Sequence, residues 1–411
     1  MDTVRRTLAG LIAPVAHRWP FRAWLSRPSP RRIVLVAIFK DELPYVLEWV
    51  AWHRARGLTR FIIGDHESSD GTTELLEALD AIGVLQRRHV ATQENEPTQV
   101  SFYNQVARDF HRGADPILGF LDADEFVMAD GPRAADNLAR RVARVFRDDR
   151  VSALGLNWRL YGSSGHVRET AGPVLARFGG HARREFEKNR WIKSFIRRSR
   201  LAAMEVHHGR LRTGRYVDAR GEDLEPEKAG SLHRTASARW DNLFVGHFIV
   251  KSRDEFDRKK RARGSAMDRS GVVKGARYVE VHDRNERYMP LDRRALESLM
   301  KEQTRLLRRL QTHSLYGRPC FGEAWIGAET RTLDGWLAHP GPRLDDVRIT
   351  IRSGTREWHC SARETGTWRA PGNGPAWPKL TFSLPLATLE QIDPENLEIR
   401  PYGSSARLRL V

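Results

Sequence analysis

A chain of 411 residues with 40% hydrophobic and 29% charged residues exceeds one typical core and suits a large α/β domain plus a smaller module. Its formal charge of +17 calls for an anionic partner without choosing among nucleic acid, an acidic membrane face and a nucleotide-phosphate substrate. No apolar run approaches the roughly 20 residues that cross a bilayer, and the isolated Cys320 and Cys360 indicate neither a disulfide framework nor a thiolate zinc site, which fits a reducing compartment.

Residues 1–31 lack the apolar core and cleavage site of a secretory leader, so a cytoplasmic location is expected. Leu8, Leu11, Ile12 and Val15 follow helical spacing beside Arg5, Arg6 and Arg18. That pattern reads either as a packing helix or as a basic amphipathic segment in peripheral contact with an anionic membrane. From residue 32 the text alternates: IVLVAIF, PYVLEWVAWHRARG, RFIIGD, GTTELLEALDAIG, VLQRRHV. This βαβαβ order predicts a mostly parallel sheet with helices on both faces, because parallel neighbours need crossover connections. Gly57 follows the first helix as a C-cap glycine. A helix around 98–111 leads into PILGFL, bounded by Pro116 and acidic residues, which reads as a central buried strand.

After residue 151 the alternation weakens into NWRLYGSSGH and a stretch rich in Arg and His, the region expected to shape an acceptor pocket. Leu296, Leu299, Met300, Leu306, Leu307 and Leu310 then recur at helical intervals, predicting a long amphipathic helix that closes a domain over 32–317. Over 318–411 short alternating runs such as VRITIRS and KLTFSLP predict a small β-sandwich. Its tryptophans either fill that core or bind sugar.

The sharpest chemical feature is Asp122-Ala-Asp124-Glu125-Phe126, where an apolar strand ends. Ligands of open α/β sheets bind beyond the carboxyl ends of strands, so Asp122 and Asp124 are placed to hold Mn²⁺ or Mg²⁺, which also bridges substrate phosphates. Such a cation would stabilise a departing diphosphate. Lys251, Lys259 and Arg263 form a basic stretch that either closes on a diphosphate or is a solvated helix face. Asp218, Glu222 and Asp223 are candidate general bases, with turn formation as the competing role.

Lys40-Asp41-Glu42 with Tyr45, Glu48-Trp49 and His53, then GDHESSDGT at 64–72, then FLDADEF resembles the glycosyltransferase family 2 superfold group. More narrowly it resembles family 92 and related bacterial proteins, through NWRLYGSSGH at 157–166, RF at 177–178, Trp191-Ile-Lys193-Ser194 and HFIVKSRDEFDRKKRARG at 247–264. The resemblance covers roughly 32–290. It implies a GT-A, Rossmann-like fold, a nucleotide-sugar donor of the UDP type, a divalent metal and a carbohydrate acceptor of the bacterial cell surface. It implies donor contacts from Lys40, Glu42, Asp65, Asp70 and Lys193, and His247 as a third metal ligand. Capping is the alternative for Asp70, and a satisfied core histidine for His247. Asp41 and His66 stand where the family pattern has Asn.

No GxGxxG follows the first strand, which sets a dinucleotide dehydrogenase aside. A haloacid-dehalogenase-like phosphatase would carry its aspartate pair after the first strand, not the fourth. A nucleotidyltransferase would share fold and metal, and a non-catalytic basic module binding polyanion or membrane would need no acidic site. The expectation is an inverting hexosyltransferase of the cytoplasm, peripheral at the inner membrane if the N-terminal segment binds lipid, with no nucleic-acid partner.

Overall fold

The run IVLVAIF forms strand β1 (Ile33–Phe39), almost wholly buried as a strand covered on both faces must be. The computed structural model describes residues 32–92, 97–110, 115–129, 136–258, 276–318, 320–327, 329–340, 344, 346–354, 356–369, 376–385, 396–404 and 406–411. After β1 come α1 (Leu43–Ala55), β2 (Phe61–Asp65), α2 (Thr72–Ala81), β3 (Gln86–His89), α3 (Thr98–Asp109) and β4 (Ile117–Phe120), so the expected alternation and central strand are present. Gly57 adopts φ +83°, and a Cβ there would fall 2.5 Å from the Asn137 amide oxygen. Helix α1 therefore ends where only glycine fits.

Further on lie β5 (Glu125–Met128), α4 (Leu138–Val145), β6 (Val151–Leu160), β7 (Ile192–Arg197), β8 (Arg215–Val217), β9 (Phe244–His247) and α5 (Arg293–His313). The sheet runs β3-β2-β1-β4-β7-β6-β9-β5, with β8 beside β6. Strands β1 to β4 are parallel, and β7 is antiparallel to both β4 and β6. Because β2 and β3 wind to one side of β1 and β4 lies on the other, strand order reverses between β1 and β4. The crevice beyond their carboxyl ends is where such sheets bind ligands. The segments Lys40–Glu42 and Leu121–Asp124 both open onto it.

Helix α5, the predicted long amphipathic helix, buries Leu299, Leu306 and Leu310 in the main core. It is tied to α1 by Arg56 Nη2 on the Ala295 carbonyl at 2.9 Å and by the Arg54–Glu302 pair at 2.8 Å. Among the described residues no helix is long and apolar enough to cross a membrane. The amphipathic segment 1–31 lies outside the described residues.

The C-terminal strands are β10 (Phe321–Gly327), β11 (Thr332–Ala338), β12 (Asp346–Ser353), β13 (Arg356–Arg369), β14 (Ala376–Pro385), β15 (Leu397–Pro401) and β16 (Arg409–Leu410). Instead of the two packed sheets of a sandwich they form one sheet, β15-β12-β13-β14-β11-β10-β16. Its two ends approach, since the Leu408 N–H donates to the Ile399 carbonyl at 2.8 Å, so the sheet curls like a barrel. Alternation along each strand is the same in both architectures, which is why sequence pattern does not separate them. The barrel core is largely aliphatic, with Leu333, Leu337, Ile349, Ile351, Leu380 and Ile399. Trp325, Trp336, Trp358, Trp368 and Trp377 all keep some exposure.

Candidate active site

The loop after β4 is fixed from behind by α1. The Trp49 indole donates to the carbonyls of Asp122 at 3.1 Å and Glu125 at 2.8 Å, and the Trp52 indole to that of Val127 at 2.8 Å. His53 Nε2 accepts the Val127 N–H at 3.2 Å while Nδ1 meets the Trp49 carbonyl at 2.8 Å. Burial pulls the His53 pKa down to about 3, so this ring is neutral and acts as a splint. Trp49 and His53 of the α1 motif are thus structural supports for the acidic loop, whereas Glu48 accepts the N–H groups of Val174 and Leu175 at 2.7 and 2.9 Å.

The two aspartates have different partners. Asp122 Oδ1 receives Gln99 Nε2 at 2.7 Å, Lys193 Nζ at 3.0 Å and the Tyr103 hydroxyl at 3.5 Å. Glu125 Oε2 accepts the Asp122 N–H at 2.7 Å and lies 3.4 Å from the same ammonium. Lys193 is fully buried. Burial opposes its charge, but Asp122 and Glu125 outweigh burial and hold its pKa above the usual lysine value. Lys193 therefore acts on the acidic loop from within, rather than from a donor-facing surface.

Asp124, 5% exposed, has its Oδ1 3.5 Å from His247 Nε2. The pairing of β9 with β5, with His247 opposite Glu125, brings this histidine in. A carboxylate and an imidazole this close would offer two ligands to a divalent cation. Among the described residues no group of three or more His, Cys, Asp or Glu side chains could hold a metal ion by itself. A cation here would share its shell with a ligand.

Asp65 ends β2 and is 1% exposed. Its Oδ2 receives Arg87 at 2.9 and 3.1 Å and the Thr73 hydroxyl at 2.8 Å. Oδ1 is enclosed and has no hydrogen-bond partner among the described residues. Asp70 is occupied by capping: Oδ1 takes the Thr72 N–H and hydroxyl at 2.9 and 2.6 Å, and Oδ2 the Leu43 N–H at 3.0 Å. Lys40 lies half-buried after β1. Glu42 is buried, its N–H donating to the Thr72 hydroxyl at 2.7 Å. Lys251 is no solvated helix residue. It is 3% exposed, donates to the Phe248 carbonyl at 3.0 Å and sits 4.4 Å from the centre of the Tyr45 ring. Lys259 and Arg263 lie outside the described residues.

Asp218, Glu222 and Asp223 form a turn closed by its own bonds. Asp218 Oδ1 accepts the N–H groups of Arg220 and Glu222 at 2.8 and 3.1 Å. Arg239 pairs with Asp218 and Glu222, and Arg215 with Asp223. The turn-forming role is the one these contacts describe. Sequence reasoning overlooked Gln99 and Tyr103, although their four-residue spacing on α3 puts both on one face. It also overlooked Glu255, which accepts from the Tyr45 hydroxyl at 3.0 Å and from both Arg177 terminal nitrogens at 2.8 Å. Side-chain donors including Arg177 and Ser252 hold its pKa down at about 2 against burial.

A large, mostly parallel sheet with helices between its strands makes this a mixed α/β protein, with an acidic pair and a histidine beyond the ends of its strands. Residues 37–233 match the family model for Glycosyltransferase family 92. The chain is also similar to a glycosyltransferase family 92 protein of Arabidopsis thaliana, 28% identical over 182 residues, which is 42% of this chain and 30% of that relative. The matched stretch thus spans about a third of the curated relative's length. Over this stretch the chain is similar to glycosyltransferase family 92 proteins.

Proposed function

We propose that this protein is a metal-dependent, inverting glycosyltransferase of GT-A type that moves a hexose from a UDP-type nucleotide sugar to a glycan or glycolipid acceptor of the bacterial cell surface. The observation that carries this is the Asp124–His247 pair, 3.5 Å apart at the exit of the central strands, beside an Asp122 held rigid by Lys193. The bound cation, Mn²⁺ or Mg²⁺, supplies charge stabilisation for the departing diphosphate. Asp124 and His247 would hold it, while Asp122, the other aspartate of the expected metal pair, is engaged by Lys193. Lys193 fixes the Asp122 carboxylate, so that the loop is already organised when the donor arrives and little reorganisation is left for the reacting state. Asp65, at the carboxyl end of β2, is the residue this reading assigns to the nucleoside.

The test is hydrolysis of UDP-hexoses with and without Mn²⁺, in the natural protein and in Asp124→Asn. Metal-stimulated hydrolysis that falls by about a hundredfold or more in the variant is expected for loss of one such electrostatic group. Equal rates in the two proteins, or no UDP-hexose hydrolysed with Mn²⁺ present, would count decisively against the reading.

A further inference from the structure

Strand β6 is buried along its whole length except at Trp158, which is half-buried. The indole thus keeps part of its surface open in an otherwise sealed strand. Trp191, immediately before β7, is also half-buried, and the two rings lie 6.0 Å apart at an interplanar angle of 27°. His207 packs against both, 5.2 Å from Trp158 and 4.5 Å from Trp191. His233 flanks Trp191 at 5.1 Å. This aromatic wall adjoins the acidic centre, because the Trp158 ring is 4.2 Å from the His247 ring. Its position is fixed by the Trp240 indole, which donates to the Trp158 carbonyl at 2.8 Å.

A pyranose presents an apolar C–H face and a rim of hydroxyls. An indole face covers the first, and imidazoles, able to donate and accept, serve the second. Burial, then the charge of Lys193, pull the His207 pKa well below the usual histidine value. The ring is neutral and keeps one donor and one acceptor nitrogen. We propose that Trp158, Trp191, His207 and His233 form the subsite that holds the acceptor sugar beside Asp124 and His247. The word acceptor rests on the glycosyltransferase reading, whereas stacking of a neutral sugar does not.

The experiment is calorimetric titration of the full chain with UDP in the presence of Mn²⁺, and with cello-, malto-, manno- and galactotetraose, each alone and after UDP. The natural protein is expected to bind at least one tetraose. Trp191→Ala weakens that binding about tenfold, Trp191→Phe restores most of it, and UDP affinity is the same in all three proteins. Undiminished tetraose binding in Trp191→Ala overturns the subsite, as does the absence of tetraose binding in a protein that binds UDP. Tetraose binding that depends on Trp191 in a protein that fails to bind UDP keeps the subsite and defeats the glycosyltransferase reading. Failure to bind either ligand overturns both.

Discussion

Lys193 shows how one buried charge sets the character of a site. Its ammonium is held by Asp122, Glu125 and the Val206 carbonyl, at 3.0, 3.4 and 3.2 Å, and a buried charge of this kind persists only where partners surround it. The string around Lys193 was visible in the sequence, but its partner was not, because Asp122 reaches it only through the pairing of β7 with β4. His53 carries the pH dependence that belongs to this scale. Folded, it stays neutral down to about pH 3, against an ordinary value of 6.5. The unfolded chain therefore takes up a proton that the folded protein refuses. The stability this ring contributes is complete above pH 6.5 and is lost as pH falls, by about 1.4 kcal/mol per pH unit until the folded pKa is reached. Urea unfolding across that window should show the loss, with a slope shallower by about one proton in His53→Gln. Equal slopes in the two proteins would remove His53 from the account.

Helix α1 works as a unit with two faces. Trp49, Trp52 and His53 bind the acidic loop and β5, while Arg54 and Arg56 bind α5. Its ending therefore matters to both. Gly57 sits at φ +83° with Asn137 against it, and Asn137 in turn caps α4 by accepting the Arg140 N–H at 2.9 Å. Gly57→Ala is expected to cost about 2–3 kcal/mol, the sum of a left-handed backbone penalty and a disturbed cap. A fall in thermal midpoint measures it, and an unchanged midpoint would show that the chain reroutes here freely. The glycine was legible as a helix stop. Its contact with Asn137, eighty residues on in the chain, was not.

The molecule as a whole is joined by an ion network between the α/β unit and the barrel. Arg87 is buried between Asp65 at 2.9 Å and Glu357 at 3.0 Å, and Arg352 reaches both Glu357 and Glu77 at 2.7 Å. The Tyr402 hydroxyl donates to Asp80 at 2.8 Å, and Arg400 pairs with Glu74. Removing one partner of a buried pair strands the other charge, so Glu357→Leu should cost about 3–5 kcal/mol. Calorimetry is expected to show the barrel melting separately from the α/β unit in this variant, and as one transition with it in the natural protein. A single unshifted transition in Glu357→Leu would refute the docking role. The sequence placed a boundary near 318, yet it held no sign that the two sides share buried charges, since the partners stand 270 and 275 residues apart.

Local pattern by itself determined the order of strands and helices from β1 to β4, the central strand PILGFL and the acidic pair that follows it, because periodicity and turn chemistry act over a few residues. Tertiary structure alone decided which carboxylate is held and which is paired with an imidazole. Lys193 comes to Asp122 from β7, and His247 comes to Asp124 from β9. It also decided that the C-terminal sheet curls on itself, and that Asp218, Glu222 and Asp223 close their own turn. Desolvation and ion pairing depend on neighbours that only the folded chain assembles, so residue type and spacing can nominate a site while leaving its charges unassigned.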